Sequence, residues 1–200
     1  MPCLKTIVGI VLMAGLRLGA QQPEPLYRFS TTVYTFGTTT ASNSGFRGTI
    51  YHIRPESRKL PNFSKLRPEG VIYTPALNVP YREFNQGFPG VTERFEWFAI
   101  DYVGRFWVSR PGIYRFALAS DDGSILYIDG KRVIQNDKVH PVAERFGEVR
   151  LKTGAHSIRV SYFQGPRFHV ALVLRVAGPG DEELRVFHAD NFKPPADAAW

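Results

Sequence analysis

Apolar and polar residues alternate with a period of two through the second half of the chain. Tyr114, Phe116 and Leu118 share one strand face, and Ile158, Val160 and Tyr162 share another. The longest such face is Phe168, Val170, Leu172, Leu174 and Val176. Its opposite face, His169, Ala171, Val173 and Arg175, is half-polar. Val149 and Leu151 alternate in the same way with Glu148, Arg150 and Lys152. Successive side chains of a strand point to opposite sides, so each run predicts a strand with one face in a core. Turn pairs separate the runs at short intervals: Pro111-Gly112, Asp122-Gly123, Asp129-Gly130, Thr153-Gly154 and Gly165-Pro166. No helical period persists, no βαβ alternation appears, and no internal repeat is present. The pattern predicts an all-β fold, an antiparallel β-sandwich.

The first half is less regular. Tyr27 to Phe36 and Gly48 to Ile53 predict strands. Pro55 to Pro89 is rich in proline (Pro55, Pro61, Pro68, Pro75, Pro80, Pro89) and predicts long loops, either functional or packed on the sandwich. The aromatic residues that follow or lie within it (Tyr81, Phe84, Phe88, Phe95, Trp97 and Phe98) are expected to cover a sheet face; the alternative is stacking on a sugar ring.

The N-terminus predicts export. Lys5 precedes an apolar core, Thr6 to Leu16, which is too short to span a bilayer, and Leu18-Gly19-Ala20 offers a cleavage site. The expected organisation is a signal peptide over 1–20, one domain over 21–192, and a flexible tail over 193–200. An uncleaved N-terminal anchor is the alternative. No other stretch is apolar enough to span a membrane, so no span is expected in the mature chain. Cys3, the one cysteine, precedes the apolar core, so the mature chain would form no disulfide and would rely on packing or a bound ion. The net charge of +7 falls to +5 without Lys5 and Arg17, a modest excess that favours acidic surfaces or polysaccharides. An exported chain argues against a nucleic-acid partner. The basic cluster Arg54, Arg58, Lys59, Lys65 and Arg67 reads as a solvated loop.

The two Asp-Gly pairs inside Ser120 to Asp137 differ. Asp129-Gly130 reads as a plain type I′ hairpin turn, with no ligand role for Asp129. Asp122-Gly123 is preceded by Asp121, and turn chemistry does not require two carboxylates. Local capping by the Asp side chains, with Gly123 supplying backbone freedom, is the bland reading.

The linked motifs Tyr114-Arg115-Phe116, Ser120 to Gly123, Leu126 to Gly130 and Lys152 to Gly154, in this order and spacing, resemble the protective-antigen-type (PA14) domain family. The resemblance covers roughly residues 46 to 176, with Gly48 to Tyr51 in the place of the family's first strand. It implies a lectin-like β-sandwich of exported proteins that often binds carbohydrate. In the fungal adhesin branch two adjacent aspartates, joined by a cis peptide, bind calcium, which holds sugar hydroxyls. That implies calcium as cofactor, with Asp121 and Asp122 as metal ligands. A second loop, Phe163 to Arg167, offers Gln164 where the adhesins have an asparagine, making Gln164 a third candidate ligand. Phe163, Gly165 and Arg167 are the candidate sugar contacts. The chemistry is coherent: calcium takes six to eight oxygens and would neutralise the doubled charge.

Other chemistry is not supported. The histidines (His52, His140, His156, His169 and His188) lack metal-ligand spacing and are expected to be structural. No nucleophile elbow or reactive thiol is present, and Asp121 and Asp122 are too close in sequence to flank a sugar bond. The expectation is a non-enzymatic, secreted, periplasmic or cell-surface module for carbohydrate recognition or adhesion. The alternative is a structural module that meets a protein partner at the cell surface.

Overall fold

Eleven strands account for the regular structure that a computed structural model describes over residues 45–83, 88, 91, 94–166 and 169–198. They are β1 (Phe46–His52), β2 (Pro68–Thr74), β3 (Asn78–Glu83), β4 (Phe98–Val108), β5 (Gly112–Asp121), β6 (Ser124–Ile128), β7 (Lys131–Asn136), β8 (Ala143–Leu151), β9 (Gly154–Gln164), β10 (His169–Ala177) and β11 (Arg185–Val186). One sheet has the order β2-β1-β4-β9-β6-β7. The other has the order β11-β10-β5-β8, and β3 also pairs with β10. Every pairing is antiparallel. The expected antiparallel sandwich is what forms.

The alternating positions meet between the sheets. Phe98, Ile100, Tyr102, Phe106 and Val108 of β4 face Tyr114, Phe116 and Leu118 of β5, and Val170, Leu172, Leu174 and Val176 of β10 complete the layer. Burying a side chain of this size contributes roughly 1.5–3 kcal/mol each, which lets a chain without disulfides hold its fold. The five predicted turn pairs all fall at strand junctions, with Gly112 and Gly154 as the first residues of β5 and β9. At Asp129-Gly130 both φ values are positive (49° and 73°), and Ile128 pairs with Lys131, as a two-residue type I′ hairpin requires.

Two expectations change. The half-polar face expected of β10 is buried at Ala171 and Val173, because β10 is paired on both edges and lies in the middle of its sheet. The stretch from Pro55 to Pro89 is not all loop: it contains β2 and β3. Proline is tolerated there because both are edge strands. Pro68 opens β2, and Pro80 sits where the β3–β10 register shifts between Val170 and Leu172. The strand expected over Tyr27 to Phe36 and the signal over 1–20 lie outside the described residues. Among the described residues no helix is long and apolar enough to cross a membrane.

Three of the places where the chain passes from one sheet to the other are β5–β6, β7–β8 and β9–β10. These crossings, with the segments that follow β1 and precede β4, gather at one end, where His52 pairs with Phe98 and Phe98 with Gln164. The Asp121-Asp122-Gly123 corner lies there.

Candidate ligand site at one end of the sandwich

Four loops are tied together at this end by backbone groups and two carboxylates. The Ile53 N–H donates to the Trp97 carbonyl at 2.9 Å, and the Trp97 N–H donates to the Gly165 carbonyl at 3.2 Å. The Leu60 N–H donates to Asp137 Oδ1 at 2.9 Å. Asp122 joins the remaining pair: its Oδ1 accepts the His140 N–H at 3.0 Å and its Oδ2 accepts the Gly165 N–H at 2.7 Å. One carboxylate thus clamps the β7–β8 loop to the β9–β10 loop. Close packing makes the clamp fit. A Cβ at Gly165 would lie 2.9 Å from Asp122 Oδ2, and a Cβ at Gly123 would lie 2.3 Å from the Phe163 ring and 2.9 Å from the Lys138 backbone.

Asp121 and Asp122 are joined by a cis peptide bond. They are only 8% and 3% exposed. Among the described residues neither pairs with a lysine or arginine. Burial, then repulsion from Asp122, pushes the Asp121 carboxyl up to about 7. Burial also raises Asp122, against the lowering effect of the Gly165 and His140 N–H donors. Neither acid has a lysine or arginine partner among the described residues, and the His140 ring, which favours their charged forms, does not overcome burial. No third His, Cys, Asp or Glu joins them in a metal-ligand cluster among the described residues.

The second loop corrects the sequence-based assignment. Gln164 is fully buried. Its Oε1 lies 2.6 Å from the Tyr162 hydroxyl, while its Nε2 approaches Asp122 Oδ2 at 3.4 Å, the Pro166 carbonyl at 3.3 Å and the His169 carbonyl at 3.2 Å. The oxygen therefore points away from the carboxylates, and Gln164 braces the loop instead of offering a third oxygen. Phe163 is also fully buried, packed with Ile53 and Ala99, so its ring is core and meets no ligand. Gly165 acts through its backbone, donating to Asp122 and accepting from Trp97. Arg167 lies outside the described residues.

Beside the clamp lies a cleft of about 620 Å³ lined by Glu56, Ser57, Arg58, Trp97, Lys138, Val139 and Pro166. Val139 and Pro166 flank the two residues whose N–H groups hold Asp122. Three of these lining residues carry positive φ: Glu56 (65°), Trp97 (60°) and Lys138 (125°). Non-glycine residues avoid this region at a cost of about 1–3 kcal/mol each, and such positions concentrate at ligand clamps. In the sequence Trp97 stands out only as one aromatic among several, and Lys138 and Val139 do not stand out. Their meeting depends on loop paths that no period encodes. His140 behaves as a structural histidine, its ring nitrogens lying 2.8 Å from the Pro141 carbonyl and 2.9 Å from the Asn136 carbonyl.

Known structures share this architecture. The PA14 domain of the MpAFP antifreeze protein superposes with a TM-score of 0.63 at 18% identity, over 76% of this chain and 92% of that one. A PA14 sugar-binding domain from an RTX adhesin gives 0.60 at 15% identity, over 74% and 97%. An anti-sigma factor domain-containing protein gives 0.59 at 19% identity, over 78% of this chain; the match spans half the length of that chain. No curated protein matches the sequence. The PA14 domain profile matches residues 80–183, more than half of the chain. The chain belongs to the PA14 domain family.

Proposed function

We propose that this chain is an exported carbohydrate-binding module whose ligand occupies the loop end of the sandwich, with calcium held at Asp121 and Asp122. The observation that carries the reading is the pair of buried carboxylates without a lysine or arginine partner among the described residues, set beside a cleft large enough for a sugar unit. Family membership supports it, as does a sugar-binding domain among the similar structures.

The residues fit a hard divalent cation in part. The two carboxylates supply oxygen donors of the kind calcium prefers, and Asp122 already spends one acceptor site of each oxygen on an N–H. The protein ligands fall short of a full shell, which leaves positions for water or ligand hydroxyls. Calcium, when bound, would neutralise the pair and offer a point for sugar hydroxyls. The chain's own residues keep the loops in register, and Trp97 offers a half-buried aromatic surface at the cleft. The arrangement of the aspartate pair supports binding rather than catalysis by these two acids. Two acids joined by one peptide bond cannot stand on opposite sides of a glycosidic bond, as hydrolysis needs.

The test is thermal unfolding of the full chain with and without calcium, together with a glycan array. The expected result is a calcium-dependent rise in Tm that Asp122→Asn abolishes, and retention of at least one glycan class. An unchanged Tm combined with an array that retains nothing would sink the proposal.

A further inference from the structure

The geometry points to an anionic sugar, a carboxylated or sulfated glycan unit, as the ligand of the Arg58–Trp97–Lys138 cleft. This rests on the carbohydrate-binding reading and names its substrate class. Arg58 and Lys138 both line the cleft, and both are exposed. Among the described residues neither is engaged by an ion pair; Lys59 and Lys131 share that state but do not line the cleft. Among the described residues Glu56 is the one carboxylate lining the cleft, so that lining carries an excess of one positive charge.

Chain geometry holds the two cations on opposite loops. Arg58 follows the turn in which the Ser57 N–H and hydroxyl both reach the Arg54 carbonyl, at 3.3 and 2.6 Å. Lys138 lies between Asp137, bonded to Leu60, and His140, bonded to Asp122. Trp97 stands between these loops, its backbone bonded to Ile53 and Gly165. The lining combines an apolar ring that suits a sugar face, a planar guanidinium that can meet a carboxylate with two parallel hydrogen bonds, and a second cation. A neutral sugar would leave both charges without use. The basic run that reads as a solvated loop in the sequence therefore sends one member, Arg58, to the site.

The experiment measures binding of the full chain, in calcium-containing buffer, to three short probes of equal length: an oligogalacturonate, a neutral galacto-oligosaccharide and a sulfated galacto-oligosaccharide. The expected result is that an anionic probe binds about tenfold more tightly than the neutral one, with an advantage that shrinks as salt is raised. The double variant Arg58→Gln with Lys138→Gln, checked for an unchanged Tm, is expected to erase that advantage, so that all three probes bind alike. A preference for the uronate or for the sulfated probe both support the inference and tell the sources apart. Equal binding of neutral and anionic probes, or a preference that survives the double variant, overturns it while carbohydrate binding stands. Failure of all three probes, with an empty glycan array, overturns both.

Discussion

The two Asp-Gly turns, 7 residues apart in sequence, handle an aspartate in opposite ways. Asp129 is exposed, and its carboxylate is fully used. His156 Nδ1 lies 2.6 Å away, and the Ser157 N–H donates at 2.9 Å. These hydrogen bonds outweigh its partial burial and hold its carboxyl below the ordinary range. Asp121 and Asp122 are buried, side by side, with raised carboxyls and no lysine or arginine partner among the described residues. The same dipeptide chemistry thus makes a self-contained hairpin in one place and, in the other, a corner that is electrostatically incomplete. Completeness, rather than turn propensity, separates a structural aspartate from a candidate ligand.

The strongest way to break that contrast is pH. A carboxyl ordinarily at 3.8 but held near 7 keeps its proton more tightly when folded than when unfolded. Its contribution to stability is full below about 3.8 and is lost as pH rises through 7. Without calcium, stability should therefore decline across that window, by at most about 4 kcal/mol at ~1.4 kcal/mol per pKa unit. Asp121→Asn should flatten the slope, because an amide cannot ionise. Asp129 has the opposite sign: its contribution is present above the ordinary carboxyl range and is lost as pH falls. Urea unfolding at several pH values with a chelator present measures both. A metal-free protein as stable at pH 8 as at pH 5 would mean that the pair is not burdened by its charge.

Packing comes next. Gly123→Ala should cost about 3 kcal/mol, because the added carbon meets the Phe163 ring and the Lys138 backbone. Gly130→Ala, where nothing lies within 4 Å but φ is 73°, should cost only about 1 kcal/mol. Equal losses in Tm would show that the corner is not close-packed. Calcium follows: at one hundred times its Kd it should raise stability by about 2.7 kcal/mol, an effect lost in Asp122→Asn and kept in Asp129→Asn. Loss in both variants would remove the distinction between the turns.

How much of this was visible in the sequence differs between the fold and the site. The period of two at Tyr114, Phe116 and Leu118, or at Val170 to Val176, is a direct image of the pleat, so the strands and the sandwich were legible. The two prolines at 68 and 80 hid β2 and β3, because an edge strand tolerates a residue that a central one does not. The aspartate pair was visible as excess charge. Gln164 and Phe163 were misread because sequence position places a residue near a loop but does not say which atom faces the ligand. Tyr162 and the His169 carbonyl decide that for Gln164, and the Gly123 gap decides it for Phe163. Arg58, Trp97 and Lys138 converge only through hydrogen bonds between loops, such as Leu60 with Asp137, that leave no pattern in the chain.

The smallest expected effect sharpens the contrast from its quieter side. Asp129→Ala removes the acceptor shared by His156 and the Ser157 N–H; water reaches the exposed Ser157, while the His156 side chain is only 12% exposed. The cost should be about 1 kcal/mol, a fall in Tm of roughly 2–4 °C. Calcium response and glycan binding should not move, since nothing in the hairpin touches the cleft. His156 also lies 2.8 Å from the Lys152 carbonyl, so the ring keeps one anchor when the aspartate is gone. A loss well above this, or a change in ligand binding, would show that the β6–β7 hairpin and the loop end are coupled through β6 and β9. The hairpin aspartate would then share in the function that its satisfied bonds assign to Asp121 and Asp122 alone.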